Sequence, residues 1–242
     1  MNRLTEAWFE FAGMRSDAMH VRLLAMPRRH MPAQRGERVV VPGRSGYLWM
    51  PDGDAYDEIA ITAQCATEDG YSPEAIAAWL AGDGELRFSD EPEKAYRGRI
   101  CTPMGRESMF LRFDAQKFSV EWICQPYRYK HLASADADDI AISTSGTTIT
   151  NPGTCEALPL ITVRGSGDIT LTVGGSYLEV AGLTDGIVID SETMDCFDLT
   201  QTALMNGSVT MDEFPRLRVG PNAIAWTGSV TSVVVRPRWR WL

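Results

Sequence analysis

Alternating apolar and polar residues recur along the first half of the chain, and this period of two predicts half-buried β-strands. The predicted strands are Leu4–Phe11, His20–Ala25, Val39–Val41, Tyr56–Ala66, Leu86–Phe88, Arg97–Cys101, Met109–Phe113 and Phe118–Cys124. Gly13 ends the first strand. A basic, proline-containing loop is predicted across residues 28–38, and the proline and glycines of Pro42–Gly46 predict a turn.

One segment changes to a helical period. Ser72 suits the N-cap of a helix. Pro73 suits its first turn, because the backbone N–H groups there have no acceptor within the helix and proline lacks only such a group. The apolar face that follows has the spacing i, i+3, i+4 and consists of Ile76, Trp79 and Leu80. Gly82 is predicted to end the helix. A helix of about three turns is marginal alone, so we expect it to pack on a sheet.

In the second half, short Val/Ile/Thr-rich runs alternate with glycine turns. The clearest predicted strands are Ile161–Val163, Ile169–Val173, Tyr177–Val180, Ile187–Ile189 and Val230–Val235. Gly165–Asp168 and Gly174–Gly175 are predicted to be hairpin turns with positive φ. Strands that follow one another without helices indicate an antiparallel β-sandwich. The acidic segment Ser134–Asp139 is predicted to be an exposed lead-in.

Charge divides the chain at the segment Cys124–Tyr129. Residues 1–131 contain 17 Lys and Arg and 19 Asp and Glu, whereas residues 132–242 contain 6 and 13. The 44% hydrophobic content is enough for a core in each part. The sequence therefore predicts a mainly β protein of two domains, residues 1–131 with one short helix and residues 132–242.

The net charge of −9 argues against duplex DNA as a bound ligand, although DNA could slide past such a surface. The five cysteines contain no Cys-x-x-Cys pair, which indicates reduced, mostly buried thiols in a chain made in a cytosol. Glu6 and Glu10 interrupt any signal-peptide pattern. No stretch approaches the roughly 18 apolar residues of a membrane span. We expect a soluble, non-exported protein.

Candidate catalytic residues are scattered. Gly43-Arg44-Ser45-Gly46 has the wrong spacing for a serine-hydrolase elbow and favours a tight turn. His20, His30 and His131 are too dispersed in the sequence to indicate a metal site. A catalytic pair of one histidine and one cysteine stays open, but nothing distinguishes one cysteine from the others, and buried thiols are the simpler interpretation. No cofactor is predicted.

Two acidic pairs and the cationic C-terminal segment could have functional roles, but a structural role explains each of them more simply. Asp52/Asp54 and Asp190/Glu192 could serve glycoside hydrolysis but are typical of turns. The C-terminal Arg236–Trp241 favours a strand with Arg–Trp contacts, then a protein interface, and last a site for single-stranded nucleic acid. The sequence therefore predicts that the protein is not an enzyme.

Several short blocks occur in an order that resembles one family. They are Phe9-x-Phe11-x-Gly13, Val41-Pro42-Gly43-Arg44-x-Gly46, Trp79-Leu80, Gly84-x-Leu86-x-Phe88-Ser89-Asp90, Cys124-x-Pro126-Tyr127-x-Tyr129, Asn151-Pro152-Gly153-Thr154-x-x-Ala157-x-Pro159, Ile189-Asp190-Ser191-Glu192 and Phe214-Pro215-x-Leu217-x-x-Gly220-x-Asn222. Over nearly the whole chain, the ordered set resembles the distal tail proteins of long-tailed bacteriophages, the siphovirus tail component family.

This resemblance implies a structural virion protein at the tail tip, made in the bacterial host cytoplasm. Residues 1–131 are expected to be a β-sandwich or barrel-like domain that forms a hexameric ring continuing the tail tube. Residues 132–242 are expected to be a galectin-like β-sandwich outside the ring. The implied partners are further copies of the chain, the tail tube protein, the tail-tip hub and host-binding fibres, with DNA only in transit and no membrane.

A closed ring needs two different patches that dock on each other, and the first half offers strand edges and the arginine-bearing region 28–44 as candidates. The candidate interface residues are Arg28, Arg29, Arg35, Gly43, Arg44 and Gly46. The candidate linker, also interpreted as the end of the last strand of the first domain, consists of Pro126, Tyr127, Arg128 and Tyr129. The alternative function is a carbohydrate-binding module, for which the second half offers Trp226, Trp239 and Trp241.

Overall fold

The computed structural model describes residues 7–100, 106–108, 116–132 and 138–242. The chain divides into two compact units, with the boundary between His131 and Leu132. The strands of the first unit are β1 (Phe9–Phe11), β2 (Met14–Arg15), β3 (Val21–Leu23), β4 (Gln34–Val39), β5 (Leu48–Tyr56), β6 (Ile59–Thr67), β7 (Asp83–Phe88), β8 (Lys94–Ile100), β9 (Arg106–Ser108) and β10 (Gln116–Lys130). The helix α1 spans Pro73–Trp79.

An antiparallel sheet in the order β2-β1-β7-β8-β10-β6-β3 forms the body of the first unit, and β9 pairs with β10. Its core centres on Trp122, whose side chain is fully buried. The ring of Phe9 meets the Trp122 ring edge-on at 5.2 Å, and that of Phe88 does so at 6.4 Å. These aromatic side chains come from alternating positions of three strands, as the period of two predicted.

Helix α1 packs on this sheet as its sequence predicted. The Ser72 Oγ accepts a hydrogen bond from the Ala75 N–H at 3.3 Å, which confirms the N-cap. Ile76 and Leu80 are buried. The Trp79 ring stacks on Phe9 at 5.3 Å, and its indole N–H donates to the carbonyl oxygen of Phe11 at 2.9 Å. The helix is thereby fixed to β1 by an apolar face and one directional bond.

The second unit is an antiparallel β-sandwich, as predicted. Its strands are β11 (Ile140–Ile142), β12 (Thr147–Asn151), β13 (Leu160–Val173), β14 (Ser176–Leu183), β15 (Gly186–Asp190), β16 (Asp195–Phe197), β17 (Val209–Met211) and β18 (Gly220–Arg236). The short strand β19 (Arg240–Trp241) follows and is not part of this sheet. β13 pairs along its length with β18, with β15 in its first half and with β14 in its second. Buried Val, Ile and Leu side chains of these strands form the core.

One predicted hairpin turn is wrong. Gly165–Asp168 lies inside β13 as a bulge, where the pairing with β18 shifts register on both sides. A Cβ on Gly165 would fall 2.4 Å from the carbonyl oxygen of Ser229, so glycine is needed there for close strand approach. The predicted turn at Gly174–Gly175 is confirmed, with φ of 59° and 101° between Val173 and its partner Ser176.

Further findings concern the basic region and the end of the first unit. Arg35 and Arg38 lie in β4 rather than in a loop, and Val40 and Val41 follow that strand. β5 was not predicted, because Pro51 and Gly53 interrupt its pattern. The candidate linker Pro126–Tyr129 is part of β10, which shifts register between Cys124 and Arg128 and then continues to Lys130. The predicted strand Met109–Phe113 and the segment 133–137 lie outside the described residues.

Candidate assembly interface

Strands β4 and β5 form a two-stranded sheet of their own. We call residues 34–56 the arm. Its register places Arg38 opposite Trp49, Glu37 opposite Met50 and Val39 opposite Leu48. Since neighbouring residues of a strand point to opposite faces, Arg38 and Trp49 share one face, and Met50 and Leu48 lie on the other.

The arm exposes apolar side chains on both faces. The exposed fractions in and around it are 80% for Met31, 73% for Val40, 57% for Met50, 49% for Tyr47, 44% for Trp49 and 38% for Leu48. A two-stranded hairpin is marginally stable alone, and an apolar cluster of this kind is typical of a protein-binding surface. We therefore assign the candidate functional site to the arm.

Contacts within the arm give it a defined shape. A Cβ on Gly36 would fall 2.6 Å from the indole of Trp49, so the ring lies directly over the glycine backbone. The guanidinium carbon of Arg38 lies 4.2 Å from the centre of the Tyr47 ring. Both aromatic rings are therefore held on one face while they remain accessible.

Polar contacts hold the base of the arm. The Arg35 Nε donates to the Asp57 Oδ1 at 3.0 Å, and this hydrogen bond raises the pKa of Arg35. The Gln34 Nε2 donates to the carbonyl oxygen of Gly53 at 3.3 Å. Because Arg35 and Asp57 are more than half exposed, their ion pair orients the arm more than it stabilises the fold.

The predicted interface residues separate into two groups. Arg35, Gly43, Arg44 and Gly46 lie on the arm, and both glycines have φ of +81° in the predicted turn. Arg28 and Arg29 precede the arm, and Arg29 is engaged within the first unit. Its guanidinium binds Asp90 and Glu91 and lies 5.3 Å from the ring centre of Phe88.

The apolar part of this surface was not predicted. Tyr47-Leu48-Trp49-Met50 directly follows the glycine turn, and a run of four large apolar residues at that place was the available signal. The predicted interface residues were arginines and glycines, whereas Tyr47, Leu48, Trp49 and Met50 are exposed beside them.

The candidate linker residues make contacts inside the first unit. Arg128 binds the Glu91 carboxylate at 2.9 Å, and Lys94 binds it at 3.1 Å. Burial alone would raise the pKa of Glu91, but Lys94 and Arg128 together lower it. The Tyr129 ring lies 3.9 Å from the guanidinium carbon of Arg97, so this segment anchors the end of β10.

The turn prediction holds for the pair Asp190/Glu192, at the end of β15, and is wrong for Asp52/Asp54, which lie within β5. The Asp190 carboxylate accepts hydrogen bonds from both terminal nitrogens of Arg238, at 2.6 and 3.0 Å, and from the backbone N–H of Glu192 at 2.9 Å. Burial opposes ionisation, yet these donors lower the pKa of Asp190. Asp52 and Asp54 are exposed in β5. The Asp190 carboxylate thus serves the local structure of the second unit.

Among the described residues, no group of three or more His, Cys, Asp and Glu is arranged to hold a metal ion. Burial raises the pKa of Cys65 to about 12 and that of Cys196 to about 11, which makes both thiols poor nucleophiles. Within the residues that the structure describes, no helix is long and apolar enough to cross a membrane.

The three tryptophans considered for sugar binding pack on the core of the second unit. Trp239 is 5% exposed, and Trp226 and Trp241 are partly buried against the same core. Tyr177 is the large exposed aromatic residue of the described part of this unit, with its hydroxyl donating to Glu179 at 2.7 Å. The arrangement offers no aromatic platform at the predicted positions.

No protein-family model and no curated protein matches this chain. Among solved structures, that of SPP1 Dit (gp 19.1), a paradigm of the hub adsorption apparatus in phages infecting Gram-positive bacteria, is similar with a TM-score of 0.71. The two chains are 16% identical, and the alignment covers 95% of this chain and 97% of SPP1 Dit.

Two structures of the phage P2 baseplate in its activated conformation, with Ca and with Sr, give TM-scores of 0.48 and 0.49 at 8% identity. They cover 94% and 95% of this chain, and 97% and 98% of theirs. The likeness to SPP1 Dit confirms the fold that the resemblance predicted, from the helix-bearing β domain to the galectin-like β-sandwich.

Proposed function

We propose that this chain is a structural protein of the tail tip of a long-tailed phage or prophage. In this proposal copies of the chain close into a ring that joins the tail tube to the hub and to host-binding components. The observation that carries the proposal is the fold shared with SPP1 Dit over almost the full length of both chains. That protein belongs to a hub adsorption apparatus, and a fold retained across both units favours the same class of assembly.

The arm supplies the means of assembly. A cyclic ring requires a heterologous interface, in which one patch of a copy docks on a different patch of the next. The arm exposes Tyr47, Leu48, Trp49 and Met50 together with Arg44, a combination of aromatic, methionine and arginine side chains that is enriched at protein interfaces. The family resemblance implies that the ring contains six copies.

The two units divide this role. Residues 1–131, which carry the arm, form the ring, and residues 132–242 form an outer sandwich available to other tail proteins. Residues 1–131 contain 17 basic and 19 acidic residues, so the ring-forming unit has no excess of cations that would retain DNA in transit. The protein acts through interfaces and is not an enzyme.

The oligomeric state tests this proposal. Size-exclusion chromatography with light scattering should give a closed oligomer whose mass is a multiple of 26.8 kDa, and negative-stain microscopy should show rings. Antibody labelling should place the protein at tail tips in particles. Monomers at high concentration together with unlabelled tail tips would contradict the proposal.

A glycan array probed with the full chain tests the alternative. Saturable sugar binding by a chain that forms no ring would favour a carbohydrate-binding module instead.

A further inference from the structure

The sequence contains one Asn-Gly pair, and it lies in the exposed 3₁₀ turn Asn206–Ser208 of the second unit. Asparagine is a labile residue, because the next backbone nitrogen can attack the carbon of its side-chain amide. Glycine hinders this attack least, since it has no Cβ and its backbone rotates freely. A Cβ on Gly207 would meet nothing within 4 Å, so this side of the turn is open. Both groups that take part in the reaction are therefore accessible.

Two hydrogen bonds to β16 hold the amide of Asn206. Its Oδ1 accepts from the Cys196 N–H at 2.6 Å, and its Nδ2 donates to the Asp195 Oδ1 at 2.9 Å. The amide carbon can bond to the Gly207 nitrogen only after the amide has turned away from both partners. Exposed hydrogen bonds open locally far more often than the core does. The rate of attack in the folded chain is therefore set by how often these two bonds open.

We propose that Asn206 is a site of spontaneous, irreversible modification in the folded chain. In the opened state the Gly207 nitrogen bonds to the Asn206 Cγ, and the Cγ–Nδ2 bond breaks. The proton of the Gly207 N–H leaves with Nδ2 as ammonia. Water then adds to either carbonyl carbon of the five-membered imide and cleaves the bond from that carbon to nitrogen. The product is aspartate or, where the main chain now runs through the former side-chain carbon, isoaspartate.

The product does not fit the place of the amide. A carboxylate at position 206 can still accept from the Cys196 N–H, but its other oxygen replaces the nitrogen that donated to Asp195. Two carboxylates in contact repel each other. Isoaspartate also lengthens the main chain just before β17, an edge strand whose pairing with β14 includes Val209. The modification therefore loosens this edge of the second unit, and the modified fraction increases with the age of the protein.

Mass spectrometry of ageing protein tests the site. Folded wild-type protein in mildly alkaline buffer should accumulate aspartate and isoaspartate in peptides containing residue 206. Asn222, which is followed by Ala223, is the internal control and should stay unchanged. In urea the same peptide should react at least about thirtyfold faster, equivalent to about 2 kcal/mol for opening two hydrogen bonds. No product at residue 206 in the folded protein, or equal rates in both states, would overturn the proposal.

Two variants separate the hydrogen bonds from the attack. Asp195→Ala removes one partner of the Asn206 amide and should accelerate the reaction of the folded chain about tenfold, with no effect in urea. Gly207→Ala keeps both hydrogen bonds and has room for its methyl group, but it shields the attacking nitrogen and should slow the reaction in both states. An Asp195→Ala chain that reacts no faster than wild type, or a Gly207→Ala chain that reacts as fast, would contradict the mechanism.

An exchange of the two residues tests the consequence. Asn206→Asp reproduces the aspartate product without ageing, and hydrogen exchange should accelerate in residues 204–211. Adding Asp195→Asn restores a donor opposite the new carboxylate, so the double variant should exchange as slowly as wild type. Unchanged exchange in Asn206→Asp, or a double variant that exchanges as fast as the single one, would show that the contact between positions 195 and 206 does not hold this edge.

Discussion

The indole of Trp49 lies over the backbone of Gly36, and a Cβ at that glycine would come within 2.6 Å of the ring. This contact joins the two strands of the arm on one face. The orientation of the exposed Trp49 ring therefore depends on the absence of a side chain at residue 36.

The first prediction concerns this contact. Gly36→Ala should push the Trp49 ring aside and cost about 1–3 kcal/mol of local stability, as overpacking does elsewhere. Hydrogen exchange should accelerate in residues 34–56 and stay unchanged in the rest of the first unit. Gly207→Ala is the control, because a Cβ there meets nothing within 4 Å. Unchanged exchange in the arm would contradict the contact.

The second prediction separates assembly from folding. Trp49→Ser with Met50→Ser should leave the thermal midpoint of the monomer within about 2 °C, because exposed side chains contribute little to folding. Ring formation should need at least about tenfold more protein. Met194→Ser with Leu204→Ser changes two apolar residues of the second unit that are even more exposed, and it should leave assembly unaffected. Loss of rings in both variants would count against a specific role of the arm.

The third prediction concerns Asn151, which is 2% exposed in the second unit. Its amide nitrogen donates to the carbonyl oxygens of Cys155 at 3.0 Å and Leu217 at 2.9 Å, and its amide oxygen accepts from the N–H of Gly153 at 2.7 Å. Asn151→Asp puts a carboxylate against two carbonyl oxygens and should cost about 3 kcal/mol or more in urea unfolding. A cost below about 1 kcal/mol would mean that these bonds are dispensable.

The fourth prediction concerns the helix. Trp79→Phe keeps a ring against Phe9 but removes the hydrogen bond to the carbonyl oxygen of Phe11. We expect a loss of about 1–2 kcal/mol in the unfolding free energy. Ser72→Ala removes the N-cap and should cost about 1 kcal/mol. The two costs should add, since the changes share no partner, and strong non-additivity would show that the helix moves as a whole.

The fifth prediction concerns acid sensitivity. The Asp198 carboxylate accepts the N–H groups of Thr202 at 2.7 Å and Ala203 at 2.8 Å, and hydrogen bonds of the Ala203 N–H and the Thr200 hydroxyl lower its pKa to about 2. Because the pKa is lower in the folded state than in the unfolded chain, this group stabilises the fold above about pH 4. The contribution is lost as the pH falls towards 2.

Asp198→Asn should therefore flatten the stability curve between pH 4 and pH 2, which urea unfolding at several pH values can measure. The difference between the wild type and the variant should be largest near neutral pH. Parallel curves across this range would contradict the assignment.

Sequence and structure agree best where the information is local. The N-cap of Ser72, the apolar face of helix α1 and the turn at Gly174–Gly175 each depend on residues a few positions apart. The period of two located most strands of both units for the same reason. These features could be predicted because backbone geometry and neighbouring side chains decide them.

Other features depend on distant parts of the chain. Gly165 resembles a turn residue in sequence, yet the close approach of Ser229 from β18 makes it part of a bulge. The side chain of Arg29 is bound by Asp90 and Glu91, which lie some 60 positions away in the sequence. No local pattern contains such partners.

A mainly β chain of two unlike halves, with one helix and no evident chemical site, could be predicted from composition and periodicity, because both are properties of the chain. Which side chains remain exposed depends on the tertiary structure. Tyr47, Leu48, Trp49 and Met50 would fill a core in most contexts, yet the arm leaves them on the surface. Whether an apolar residue is buried depends on what folds against it, and that is decided by the whole chain.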